Sequence, residues 1–151
     1  MTVDIRTETV IHRPRPEVAA YLSDPSNATE WYRNIRSIEW ETPPPVAEGS
    51  RMKFHARFLG RDLVYTYEIR ELVPGERLVM GTAQGPFPME TTYTFEDAPG
   101  GGTRVGLRNR GRPSGFGKVI GPIMATAIRR ETTKDLARAK ELLERASSDP
   151  G

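Results

Sequence analysis

From 3 to 11 the chain reads VDIRTETVI, with Val3, Ile5 and Thr7 alternating against Asp4, Arg6 and Glu8. A period of two sends successive side chains to opposite faces, so this segment predicts a half-buried strand. The pattern changes after His12. The stretch RPRPEVAAYLSD sets Pro14 and Pro16 where a helix can begin, spaces Val18, Tyr21 and Leu22 at helical intervals, and stops at Asp24-Pro25. A second short helix is predicted over 27–32, with Ser26 or Asn27 as its cap and Trp31 as its large apolar anchor.

Segments 35–42, 51–59, 62–72, 77–83, 89–96 and 103–110 all read as extended, separated by PPP, GR, PG, GPFP and PGGG turns. Consecutive strands with short turns imply antiparallel pairing. At Leu59-Gly60-Arg61-Asp62 a two-residue loop with Gly first predicts a type II′ hairpin. That register pairs Phe58 with Leu63, Ala56 with Tyr65, Phe54 with Tyr67 and Met52 with Ile69 on an apolar, aromatic face. Arg57, His55 and Lys53 fall opposite Val64, Thr66 and Glu68 on a mostly charged face. The same alternation turns Met89, Thr91, Tyr93 and Phe95 inward, together with Val105, Leu107 and Asn109.

The last element is a long helix from about 122 to 145, with Gly121-Pro122 as its start or as a kink in a helix begun near Ser114. Met124, Ile128, Thr132, Leu136, Ala139 and Leu143 form one stripe at spacings of three and four. Arg129, Arg130, Lys134, Lys140 and Glu144 lie mostly off it. That stripe is expected to cover the sheet.

Composition narrows what such a domain does. A chain of 151 residues that is 36% hydrophobic suits one domain, expected over 1–146 with a flexible tail at 147–151. With no cysteine, a disulfide framework, a thiolate zinc site and a cysteine nucleophile are excluded, and a cytoplasmic location is expected. Asp4, Glu8 and Glu17 interrupt the opening residues, so neither a signal peptide nor a membrane span is expected. A net charge of +2 from 22 basic and 20 acidic residues gives weak steering for a polyanion, so nucleic acid is not the expected partner. Arg104, Arg108, Arg110, Arg112 and Lys118 form a local basic excess that strand alternation directs mostly outward.

The opening IHRPRPEVAAYLSDPSNATEWYRNI, the strand YTYEIRELVPGERLVM, the hairpin YTFEDAPGGGTRVGL and the closing DLARAKELLE together resemble the START-like, or SRPBCC, helix-grip superfamily and its polyketide cyclase/dehydrase-like bacterial branch. The resemblance covers nearly the whole chain. It implies an α+β helix-grip fold: a curved seven-stranded antiparallel sheet wrapped around a long C-terminal helix, with two short helices after the first strand. It also implies a cavity between sheet and helix for lipids, sterols, polyketides or plant-hormone-like molecules, with cyclisation or dehydration in a minority of members.

Candidate cavity residues follow from the inward face. Phe54, Phe58, Tyr65, Tyr67 and Met80 supply apolar contact, joined by Phe87, Met89, Tyr93, Phe116, Met124 and Ile128. Each such side chain is equally the material of an ordinary core. Polar groups on the same face are more telling, because a buried hydroxyl or amide without a partner costs on the order of 1–3 kcal/mol. Thr91, Asn109, Thr132 and the tyrosine hydroxyls are therefore candidates to orient a ligand, with water or one another as the competing partners. GPFP at 85–88 and GRPSGFGK at 111–118 are expected to flank the mouth.

No reacting constellation accompanies them. His12 and His55 are the only histidines, no cluster has metal-ligand spacing, and no GxSxG elbow occurs, so no metal or cofactor is expected. Glu131 beside the helix stripe is a candidate proton carrier only if buried, with a solvated or ion-paired state as its ordinary alternative. Three functions remain: a binding protein for a hydrophobic small molecule, a polyketide aromatase/cyclase in the same cavity, or an interaction domain. The last would form a homodimer or dock an acidic partner on the arginine face.

Overall fold

The computed structural model describes residues 2–114 and 121–147. Its elements run β1 (Val3–Ile11), α1 (Arg15–Leu22), a 3-10 turn (Pro25–Asn27), α2 (Ala28–Trp31), then β2 (Ile35–Trp40) and β3 (Arg51–Phe58). They continue with β4 (Arg61–Val73), β5 (Arg77–Gln84), β6 (Met89–Asp97), β7 (Thr103–Gly111) and α3 (Gly121–Ser147). The seven strands form one antiparallel sheet in the order β1-β7-β6-β5-β4-β3-β2. This is the helix-grip architecture, with every expected strand present. The tail expected at 147–151 lies, beyond Ser147, outside the described residues, as does Phe116.

Alternation builds the sheet's two faces. Along β1, Val3, Ile5 and Thr7 are buried while Asp4, Arg6 and Glu8 are exposed. Register shifts interrupt the β4–β5 ladder at Thr66/Tyr67 and Ile69/Glu71 and the β2–β3 ladder at Ile35/Ser37. An extra residue on one strand bends it and increases its twist, which lets the sheet curl.

The β3–β4 hairpin differs from expectation by two residues. Phe58 pairs with Arg61, Ala56 with Leu63, Phe54 with Tyr65 and Met52 with Tyr67. The turn residues are Leu59 and Gly60, both at positive φ (50° and 76°), which makes a type I′ turn rather than II′. A shift of two preserves the face of every side chain, so the aromatic inner face is the same in either register. Asn27 holds the expected N-cap position of α2, but its side chain makes no capping bond and donates instead to Tyr21 O at 3.0 Å, while Asp24 caps the preceding 3-10 turn by accepting from Ser26 N–H at 2.9 Å. Pro25 at the first position of the 3-10 turn moves the start upstream.

Helix α3 buries the expected stripe, but its two halves do different work. Leu136, Ala139 and Leu143 join one core with Ile11, Val18, Leu22, Ala28 and Trp31. Met124 and Ile128 pack against Val3 and Ile5, with Phe58 at the margin. Polar contacts fix the C-terminal half: Lys140 Nζ donates to Val10 O at 2.7 Å, His12 N–H to Glu144 Oε2 at 2.9 Å, and Arg138 Nε to Glu30 O at 2.7 Å.

Leu59 is 49% exposed and held in a left-handed conformation that costs an ordinary side chain energy, whereas Asn adopts it readily. Leu59→Asn is expected to raise stability by about 0.5–1 kcal/mol, or roughly 1–4 °C in Tm, in a thermal melt. No rise, or a fall, would contradict the turn assignment.

Candidate functional site

The curled sheet and α3 border a half-open cavity of about 170 Å³. Its floor is β3 to β6: Phe54 and Ala56, Leu63, Tyr65 and Tyr67, Leu78 and Met80, then Thr91 and Tyr93. Its walls are Tyr32, Asn34 and Ile35 after α2, and Ile128, Glu131, Thr132 and Asp135 on α3. Pro86 and Phe87 from the β5–β6 turn, Met89 at the start of β6 and Pro113 after β7 also line it. Arg112 N–H donates to Pro88 O at 3.0 Å and joins those two segments. A hole with room for one water sphere needs about 10–15 Å³, so this space exceeds a packing defect by roughly tenfold.

Twelve of the fourteen candidate residues border this space: Phe54, Phe58, Tyr65, Tyr67, Met80 and Phe87, with Met89, Thr91, Tyr93, Asn109, Ile128 and Thr132. Met124 does not. It lies one helical turn before Ile128, beyond the end of the cavity, and is fully buried against Val3 and Ile5, on which Ile128 also packs. Thr132 borders the cavity, but its hydroxyl donates to Ile128 O at 2.9 Å in its own helix. Of the two tryptophans, Trp31 is buried against Tyr32 and Tyr93, with ring centroids 4.0 and 5.7 Å away. Trp40 Nε1 donates to Ser26 Oγ at 3.0 Å. Both pin helical segments rather than face the cavity.

The polar groups are ordered. Thr91 Oγ1 donates to Asn109 Oδ1 at 2.8 Å, which spends the threonine proton, so the Tyr67 hydroxyl 3.1 Å away donates to Thr91. The Tyr32 and Tyr93 hydroxyls lie 2.5 Å apart, and one of them keeps a proton to donate elsewhere. The Tyr65 hydroxyl has no hydrogen-bond partner among the described residues, and its ring lies 5.6 Å from Phe54 and 5.0 Å from Tyr67. Burial pushes the Tyr32, Tyr65, Tyr67 and Tyr93 phenols above their ordinary value, so all four stay protonated. Phenolate chemistry is thereby unavailable at neutral pH.

The strongest polar feature does not stand out in the sequence. Asp135 borders the cavity at 3% exposure, accepting one hydrogen bond, from Arg33 N–H to Oδ1 at 3.0 Å. Burial raises its pKa to about 7; the Arg33 N–H opposes that, the Glu131 charge adds to it, and the Arg33 charge opposes it again. No ion pair of Asp135 exists among the described residues. Glu131, one turn earlier, is only half-buried and takes a long contact of 3.4 Å from Asn34 Nδ2. Asp135 follows Ile128 by seven residues and Thr132 by three, so it occupies a stripe position. Spacing alone gives that signal, and its charge hides it.

The outer face is a different surface. Arg108 bonds Asp4 at 2.6 Å, Arg110 bonds Glu90 at 2.7 Å, Arg51 bonds Glu68 at 2.8 Å and Arg57 bonds Asp62 at 2.9 Å. Two members of the basic run, Arg108 and Arg110, thus meet acids on neighbouring strands, and Lys118 lies outside the described residues. A wider depression of about 840 Å³ lies between α1 and the β2–β3 connection, lined by Pro16, Trp40, Pro44, Pro45 and Leu72. Its polar rim is already engaged, Arg15 with Asp97 and Gly75 O, Trp40 with Ser26. Among the described residues no three metal-ligating side chains converge, and no helix is long and apolar enough to cross a membrane.

A family model described as polyketide cyclase / dehydrase and lipid transport matches residues 2–144. No curated protein sequence matches the chain. Solved structures do. The protein TTHA0849 from Thermus thermophilus superposes with a TM-score of 0.82 at 21% identity, covering 97% of this chain and 100% of that one. An aromatase/cyclase, ZhuI, from a Streptomyces species gives 0.81 at 15% identity over 100% and 99%, and a START superfamily protein from Mycobacterium smegmatis gives 0.80 at 14% over 95% and 98%. At these identities the likeness is one of fold.

A carboxyl whose folded pKa lies above its unfolded value holds its proton more tightly in the native state, so it withdraws stability as pH rises from about 4 through about 7. Asp135→Asn is expected to be more stable than the parent at about pH 8, by on the order of 2 kcal/mol, with the difference vanishing towards about pH 4. Denaturant unfolding at both pH values checks this; a variant less stable at the higher pH would place a compensating cation beside Asp135.

Proposed function

The chain belongs to the polyketide cyclase/dehydrase and lipid-transport family of the START-like superfamily, and on that premise we propose that it binds a hydrophobic small molecule between the sheet and α3. The observation that carries this reading is the unfilled space beside an aromatic floor. Proteins pack their interiors to the density of organic crystals, and a void forfeits dispersion contacts on every side. A cavity of about 170 Å³ lined by rings such as Phe54, Tyr65, Tyr67 and Tyr93 is a cost that a bound apolar guest removes. The floor is mostly ring and aliphatic surface, with hydroxyls, one amide and the α3 carboxyls as its polar groups, as in sites where an apolar body gives affinity and a handful of hydrogen bonds give orientation. A lipid-like or polyketide-like guest fits that division.

Catalysis in the same cavity is the second reading, and Asp135 favours it. A carboxyl titrating near neutrality suits proton transfer, and the Asn109 amide with the spare Tyr32/Tyr93 proton supplies donors for a carbonyl. As a cyclase the protein would lose at least roughly tenfold in turnover of a reactive polyketide chain on Tyr67→Phe or Asn109→Ala.

Binding is tested by native mass spectrometry of the purified protein and a thermal-shift panel of lipids and polyphenols. A guest at about a hundred times its Kd is expected to stabilise by about 2.7 kcal/mol. Ala56→Phe, which puts a ring into the space from β3, is expected to abolish the shift while retaining the native circular dichroism spectrum. A panel in which no compound raises the melting temperature, with Ala56→Phe indistinguishable from the parent, rules the reading out.

A further inference from the structure

Among the described residues, Asp135 is a buried carboxyl without a cation. Two carboxylates on the outer face have theirs: Asp4 has Arg108 and Glu90 has Arg110. Asp135 has a single backbone donor on Oδ1 and no hydrogen-bond donor on Oδ2 among the described residues, and Glu131 adds a second carboxyl one turn away on the same wall. The nearby cation among these residues is Arg33, whose side chain is exposed and bridges neither carboxylate. The remaining groups that face Asp135 are uncharged phenols: Tyr32 after α2, Tyr65 on β4 and Tyr93 on β6, whose proton release its charge opposes.

A buried anion without a partner is costly, and proteins normally neutralise it by proton uptake or by pairing. Aromatic rings also offer their negative faces to a cation, most strongly where water is excluded. Here the rings of Tyr32, Tyr65 and Tyr93 border the same space as the carboxyl. A neutral acceptor such as a ketone finds donors at the Asn109 side, at the Tyr65 hydroxyl and at the Tyr32/Tyr93 pair, all away from the α3 wall, which offers acceptors.

We infer that the cavity selects hydrophobic molecules bearing a positively charged nitrogen, with the ammonium seated against Asp135 among the tyrosine rings and the apolar body along β3 to β6. The inference rests on the proposed binding function and names the ligand class for that site. Asp135 is its specificity determinant and Glu131 a weaker, solvent-screened contributor. Binding such a cation requires the ionised carboxyl. Because Asp135 titrates near about pH 7, affinity rises with pH through that region. A quaternary ammonium, which has no proton to lose, shows no fall at higher pH.

The test compares benzyltrimethylammonium with its neutral isostere neopentylbenzene by titration calorimetry on the full chain, at about pH 5.5 and about pH 8.5. At the higher pH the cation is expected to bind at least about tenfold tighter than the isostere, and that advantage is expected to shrink about tenfold or more at the lower pH, following the ionised fraction. Asp135→Asn is expected to abolish the advantage and its pH dependence while leaving neopentylbenzene within about twofold, and Glu131→Gln to reduce it by a smaller factor. The parent's own pH profile carries the test should the Asn variant fold poorly. If the isostere binds as well as the cation at both pH values, the cavity accepts guests but the cationic preference is wrong. If neither binds, the cavity takes no such guest, and the binding function falls with the inference.

Discussion

One helix has to cover seven strands, and it is too narrow to do so. Six inter-strand spacings of about 4.8 Å make a sheet about 29 Å across, while a helix with its side chains is about 10–12 Å wide. The shortfall is met in two ways. Curling, aided by the register shifts in β4 and β2, brings the sheet edges toward α3, and the short helices α1 and α2 cover the part nearest its C-terminal end. What neither reaches is the stretch beneath Ile128, Thr132 and Asp135, and there the interior stays open.

The anchoring of α3 decides where that opening falls. Lys140, Glu144 and Arg138 tie its last turns to β1, the strand's exit and α2, and Leu136, Ala139 and Leu143 bury into the main core. At the other end Met124 closes on Val3 and Ile5. The cavity is thus held between two packed contacts of one helix, with Pro86, Phe87 and Pro113 at its margin. A frame of this kind holds the tyrosine hydroxyls in fixed relation to Asp135, the preorganisation that the proposed binding function calls for.

Electrostatics divides the two faces of the same sheet. Outside, arginines and carboxylates alternate between neighbouring strands and neutralise each other in water, where each pair contributes little. Inside, burial beside the tyrosine rings raises the Asp135 carboxyl to about 7, with Glu131 on the same wall adding to the shift.

The order of elements, the antiparallel pairing and the inward aromatic set are legible in the sequence because each follows from a local period. Alternation in β1, β3, β4 and β6 and the three-and-four spacing in α3 survive a two-residue error at Leu59-Gly60, since side-chain direction repeats every two residues. Spacing marks the helix stripe as buried, but burial does not distinguish filling from lining: Met124 and Ile128 both pack on Val3 and Ile5 of β1, and only Ile128, one turn further along α3, also borders the cavity. Asp135 is hidden because charge is ordinarily a mark of solvent, and only the meeting of α3, the Arg33 backbone and the tyrosines of β4 and β6 makes its stripe position a site. Local chemistry determined which side chains point inward. The width of the sheet against the width of the helix, a property of the assembled layers, decided that a space would be left between them and that a carboxyl would stand at its wall.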